Sequence, residues 1–159
     1  MAEKIFCLPS AAATGDFGAK LAACLRGGDA VLLFGEAGAG KTALVQGAGR
    51  ALGVSGLITS PTFTLAAEYA AVAGGRRIRL IHLDLYRLGG KEEAAAAGVD
   101  SFFSPEAIVM AEWPELIAAA AGPEALRLEI NGTGIEPRRL VLTYADEYWG
   151  GRLLPLFQT

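Results

Sequence analysis

Eight consecutive residues, Gly35-Glu36-Ala37-Gly38-Ala39-Gly40-Lys41-Thr42, constrain this chain more than any other stretch. They satisfy the pattern G-x-x-x-x-G-K-[ST] without substitution, and that pattern carries chemistry only between a strand and a helix. Both are predicted. Asp29 to Phe34 is a short apolar run of the kind that forms a buried strand, and Leu44, Ala48 and Leu52 repeat on one face of a helix starting at Ala43. A loop so placed wraps successive backbone N–H groups around phosphate oxygens, and the glycines at 35, 38 and 40 permit the close approach. The following helix adds the positive end of its dipole. On this reading Gly35, Glu36, Ala37, Gly38, Ala39, Gly40, Lys41, Thr42 and Ala43 bind a nucleotide. Lys41 reaches the β and γ phosphates, and the Thr42 hydroxyl takes a position on Mg²⁺.

The 159 residues, 52% of them apolar, suffice for a full core and predict a single domain over 1–159. A formal charge of −3 excludes a broad electrostatic grip on nucleic acid, so any RNA role is expected to run through a partner. The N-terminus lacks a secretory layout, and charges or glycines interrupt each apolar run short of membrane-spanning length, so a cytoplasmic chain with no membrane association is expected. Cys7 and Cys24 are expected to be small buried hydrophobes, one in a strand and one on a helix. One histidine and no C-x-x-C make zinc an unsuitable cofactor.

Ile5 to Leu8 reads as a first strand, and Thr14 as the N-cap of a helix carrying Phe17, Leu21, Cys24 and Leu25 to a stop at Gly27-Gly28. Beyond the phosphate loop, Phe63, Leu65 and Tyr69 at even spacing and the run from Arg79 to Leu85 predict an antiparallel hairpin around Gly74-Gly75. Lys91 to Ala97 predicts a short helix, and Val99 to Pro105 an irregular connection burying Phe102 and Phe103. Ala107 to Ala111 is continuously apolar, as in a strand covered on both faces. Pro114 opens a helix through the alanines to Gly122. Alternation at Leu126, Leu128 and Ile130 and at Leu140, Leu142 and Tyr144 predicts a second hairpin. The aromatic tail after Asp146 either packs as a last helix or offers a contact surface. The sum is a three-layer α/β domain of the P-loop NTPase kind, with a mixed, partly antiparallel sheet flanked by helices.

Hydrolysis needs more than the loop. Asp84 ends an apolar run, the layout by which nucleotide hydrolases direct Mg²⁺ through a bound water; a loop-facing strand terminus is the plainer reading. Glu112 ends the next apolar strand, where open α/β sheets place their ligands. It can complete the metal shell, act as general base, or cap the helix at Pro114. Thr62 is placed like a switch threonine closing on the γ phosphate. Trp113 either lies against nucleotide or partner or belongs to the core. His82 reads as a satisfied core histidine rather than a base. Arg87 can stabilise charge, pair with a carboxylate or meet a partner.

Taken together, Gly35 to Thr42 as GEAGAGKT, Ser60 to Leu65 as SPTFTL followed by Glu68-Tyr69, His82 to Leu88 as HLDLYRL, and Glu112 to Glu115 as EWPE resemble the TsaE-type proteins of bacterial tRNA threonylcarbamoyladenosine biosynthesis. The likeness runs from Leu8-Pro9 to Arg138-Arg139. It implies a small ATPase, slow alone, that supports turnover of a TsaD-type transferase subunit and its TsaB-type paralogue, with tRNA met only through that complex. It also implies Lys41 and Thr42 on phosphate and Mg²⁺, Glu112 as the second metal-site acid, Asp84 and Thr62 as hydrolytic and switch residues, and Trp113 beside the nucleotide. Adenine contacts are implied in the Pro9 to Thr14 segment, which holds Ser10 and Thr14, and near Arg138. The family loop commonly reads GDLGAGKT; here Glu36 and Ala37 stand at two unspecified positions. Ser10 to Ala13 lacks the acidic residues often found there. Two alternatives share the size and loop: a small-molecule kinase, which would need an arginine-bearing lid, and a nucleotide-dependent binding module that never hydrolyses.

Overall fold

The computed structural model describes residues 1–61 and 65–158. Thr62, Phe63, Thr64 and Thr159 lie outside the described residues, and with them the switch position expected at Thr62 and the strand start expected at Phe63. Seven strands, β1 (Ala2–Leu8), β2 (Ala30–Phe34), β3 (Ala66–Ala73), β4 (Arg76–Asp84), β5 (Ala107–Glu112), β6 (Leu126–Asn131) and β7 (Arg138–Tyr144), form a sheet in the order β1-β7-β6-β2-β5-β4-β3. The inner strands β6, β2, β5 and β4 pair in parallel, and β3, β7 and β1 add antiparallel edges. Both predicted hairpins, β3 with β4 and β6 with β7, are present.

Position in the sheet explains the strand sequences. In β2, Val31 and Leu33 face one core while Ala30 and Leu32 face the other, so no polar residue is tolerated and the run is apolar throughout. β5 is buried at all six positions for the same reason. β6 faces water on one side, which is why Arg127 and Glu129 alternate with its buried leucines and isoleucine.

Helices α1 (Ala11–Ala22) and α2 (Lys41–Ala51) cover one face together with the tail segments α5 (Asp146–Trp149) and α6 (Leu154–Phe157), while α3 (Lys91–Ala96) and α4 (Ala118–Ala121) cover the other. The tail packs: Trp149 is fully buried, with its indole N–H donating to the Glu124 carbonyl at 2.7 Å. Asp29 ties it down, accepting from Tyr148 Oη at 2.9 Å and pairing with Arg152. Helices α1 and α2 cross at glycines. A Cβ on Gly18 would stand 2.1 Å from the Leu44 carbonyl oxygen, and one on Gly47 would stand 2.0 Å from that of Gly15. This close crossing brings the start of α1 against the phosphate loop.

Four expectations are corrected. Ser10, not Thr14, caps α1: its extended backbone lets Oγ accept from the Ala13 amide at 3.2 Å, and three alanines then start the helix a turn early. Cys7 is exposed, because β1 is an edge strand whose inward positions are Phe6 and Leu8, while Cys24 is buried as expected. Phe102 and Phe103 are half-buried, and residues 99–102 form a 3₁₀ turn. The alanine helix is not continuous from Pro114. A 3₁₀ turn over 114–116 breaks at Ile117, buried with φ −120°, before the short α4.

Candidate functional site

The carboxyl ends of β2, β4 and β5 meet at one side of the sheet, and the loop leaving β2 closes over them. Strand parity decides which side chains converge. Leu80 and Met110 face the α1 and α2 layer, so His82, Asp84 and Glu112, two or four residues on, face it too. Asp84 and Glu112 stand directly opposite each other in the parallel register.

Gly35, with φ 150°, passes so near β6 that a Cβ would lie 2.5 Å from the Ile130 carbonyl oxygen, so only glycine fits. The loop then turns up, with Ala39 fully buried and its amide donating to the Glu36 carbonyl at 3.1 Å. Gly40, at φ 107°, leads into α2, whose first turn has no side-chain cap. Its leading amides are therefore left to an anion.

Lys41 is 4% exposed, donates to the Gly35 carbonyl, and lies 3.6 Å from the Trp113 ring centroid. Burial pushes its ammonium below the usual lysine range, and the Glu112, Asp84 and Glu115 carboxylates partly offset this. Thr42 Oγ1 donates to Glu112 Oε2 at 2.9 Å, and the same oxygen meets His82 Nε2 at 2.5 Å. Asp84 accepts from Ser60 Oγ and from the Tyr86 amide, each at 3.1 Å. Trp113 holds a left-handed backbone, φ 53° and ψ 57°, at a cost of order 1–3 kcal/mol for a bulky residue. That conformation turns its ring over Lys41 and to 4.9 Å from the exposed Tyr86 ring.

A cavity of about 370 Å³ results. Gly38, Gly40, Lys41 and Thr42 form its floor, Asp84 and Glu112 one wall, and Tyr86 and Trp113 a rim; Ala37 and Ala43 also line it. Its size is in the range of small-ligand sites. A Cβ at Gly38 would meet nothing within 4 Å, so the loop backbone opens onto free space. Two carboxylates and a hydroxyl suit a hard cation shared with phosphate oxygens, and among the described residues no cluster of three or more His, Cys, Asp or Glu forms a closed metal cage. The residues present fit a magnesium nucleotide.

Three residues expected near the adenine do not line this cavity. Ser10 is exposed and serves as a cap. Thr14 is 1% exposed and packs behind the loop, its Cγ2 3.2 Å from where a Cβ on Gly40 would stand. Arg138 is buried, and its guanidinium donates to the carbonyls of Ala39 (2.9 Å), Gly38 (3.2 Å), Gly134 (3.0 Å) and Glu136. It braces the loop from beneath. Ser60 and Tyr86 stand inside the SPTFTL and HLDLYRL stretches, but their contacts with Asp84 and the cavity are visible only in the structure. The parity of His82 with Asp84 was present in the sequence.

Among the described residues no helix is long and apolar enough to cross a membrane. The model of the TsaE family, "Threonylcarbamoyl adenosine biosynthesis protein TsaE", matches residues 8–140. Proteins named tRNA threonylcarbamoyladenosine biosynthesis protein TsaE are similar over most of the chain. The Streptomyces coelicolor protein is 39% identical over 139 residues, spanning 84% of this chain and 92% of its own length. That of Synechocystis is 46% identical over 69% of each chain, and that of Bacillus subtilis 34% identical over 77% of this chain and 73% of its own. The crystal structure of Bacillus subtilis YdiB superposes with a TM-score of 0.79 at 25% identity, over 98% of this chain and 95% of that one.

Proposed function

This chain belongs to the TsaE family of threonylcarbamoyl adenosine biosynthesis proteins, and on that premise we propose that it is the magnesium-dependent ATPase subunit of the machinery that makes tRNA threonylcarbamoyladenosine. One observation carries the reading. The uncapped start of α2, Lys41 and the facing pair Asp84 and Glu112 converge on one cavity of nucleotide-binding size.

In this proposal residues 1–159 act as one ATPase domain. The loop amides and the Lys41 ammonium bind and orient the phosphates, the ammonium exchanging the Gly35 carbonyl for phosphate oxygens. Thr42, Glu112 and Asp84 would hold Mg²⁺, which when bound would neutralise charge on the β and γ phosphates. Thr42 donates a hydrogen bond from its hydroxyl to Glu112, which leaves its oxygen lone pairs for the cavity. Asp84, with both oxygens already hydrogen-bonded, has a fixed carboxylate suited to orienting an attacking water, and Thr62 closes on the γ phosphate. Trp113 and Tyr86 screen this chemistry from solvent. The partners are a TsaD-type transferase and a TsaB-type paralogue, tRNA is met only through them, and the setting is cytoplasmic.

The test is ATP hydrolysis by the chain alone and with both partners, using Lys41→Ala as the blank. Slow turnover that rises when both partners are added supports the proposal. Fast turnover indifferent to partners would refute it, and family membership does not favour the small-acceptor kinase that would then have to be considered.

A further inference from the structure

The imidazole of His82 is 0% exposed, in a layer otherwise built from Leu80, Met110 and their apolar neighbours. A leucine would fill such a position without the desolvation penalty of a polar ring, which is recovered only if the ring makes a hydrogen bond. Its single polar contact is Nε2 to Glu112 Oε2 at 2.5 Å, and Nδ1 is buried with no partner among the described residues. An ionised carboxylate only accepts, so the ring donates to it through Nε2. The ring has one task, and it points at the metal-site acid.

Glu112 Oε2 thus receives two donors, His82 from the β4 side and Thr42 from the α2 side, while Oε1 accepts from no described residue. We propose that His82 is a positioning residue: by donating through Nε2 it pins Oε2 and leaves Oε1 as the oxygen that faces a divalent cation in the cavity. The assignment rests on the magnesium-nucleotide reading of the site. It makes His82 the support behind the first ligand, a role whose loss typically weakens metal binding by about 10–100-fold.

The amide of a glutamine places a donor near the position of Nε2, whereas that of an asparagine falls short, near Nδ1. ADP binding is therefore titrated calorimetrically, without Mg²⁺ and across a Mg²⁺ series, for wild type, His82→Gln, His82→Asn and His82→Leu. The Leu and Asn variants are expected to need at least about 10-fold more Mg²⁺ for half-maximal effect, with ADP affinity in the absence of Mg²⁺ unchanged. His82→Gln is expected to recover most of the wild-type response. Wild-type Mg²⁺ dependence in His82→Asn, or equal impairment of the Gln and Asn variants, would overturn the proposal. Should His82→Leu not fold, the Gln and Asn pair decides. A wild type that binds Mg²⁺ with ADP but never hydrolyses ATP defeats the ATPase reading alone. One that binds ADP with no Mg²⁺ dependence defeats both.

Discussion

Replacing Arg138 by methionine separates two roles that the sequence alone confounds. The side chain lies 7% exposed beneath the phosphate loop, with its donors on four carbonyls. Methionine keeps most of the apolar stem and removes the fork. Gly38, Gly134 and Glu136 are exposed residues, so water can replace the guanidinium at their carbonyls, at about 0.5 kcal/mol each. Ala39 is fully buried, and its carbonyl loses a charged donor with no substitute, a cost of about 1–3 kcal/mol. The sum is about 2.5–4.5 kcal/mol, which for a chain of this size lowers Tm by roughly 5–18 °C. Because the damage lies in the loop, affinity should fall alike for ATP and for inorganic tripolyphosphate, which has no base. Thermal unfolding and two titrations test this. An unchanged Tm, with ATP weakened and tripolyphosphate unaffected, would refute the bracing role and return Arg138 to the adenine.

Three further outcomes are expected. On the proposed reading Lys41 binds phosphate as the ammonium, and its pKa in the free protein is lowered, so ATP affinity should fall as pH rises through a value below the ordinary 10.5. The sign for folding is opposite: between that lowered value and 10.5 the unfolded chain holds the extra proton, so the free protein gains stability as pH rises there, and Lys41→Met should abolish both trends. Trp113 emission should change when nucleotide draws the Lys41 ammonium away from its ring, measured in a Trp149→Phe background; an unchanged spectrum on saturation would count against the placement. Gly18→Ala drives a methyl against the Leu44 carbonyl and should cost about 1–3 kcal/mol in denaturant unfolding, whereas Gly53→Ala, with open space around it, should show only the smaller strain of its positive φ.

Part of this site was legible from the residues in line because its chemistry is local. The phosphate loop is a backbone device of eight contiguous residues, and a strand before it and a helix after it suffice to define its shape. Asp84 and Glu112 were legible for a related reason: each ends an apolar run, and an open α/β sheet gathers such ends at one side. The β6–β7 hairpin followed from period-2 alternation, whereas the β3–β4 hairpin followed from the two runs around Gly74-Gly75: Leu65, counted in the alternation, stands before β3 with φ 69°. What failed was decided by small energies between neighbouring choices. Ser10 and Thr14 are both competent caps, and the selection depended on which backbone was extended and on where α1 had to lie to cross α2 at Gly18 and Gly47.

The sequence by itself determined the loop, the strands and helix that hold it, and the kind of acids that stand beside it, because these depend on residue type, period and neighbours along the chain. Only the tertiary structure decided that Arg138 braces the loop, that Thr14 lies behind it, and that His82 addresses Glu112. Those assignments join residues 26 to 100 positions apart, and their partners are set by helix crossing, sheet order and register. Hydrogen bonds between strands and loops so far apart leave no periodic trace in a single chain, because each is one donor meeting one acceptor after the fold has brought them together.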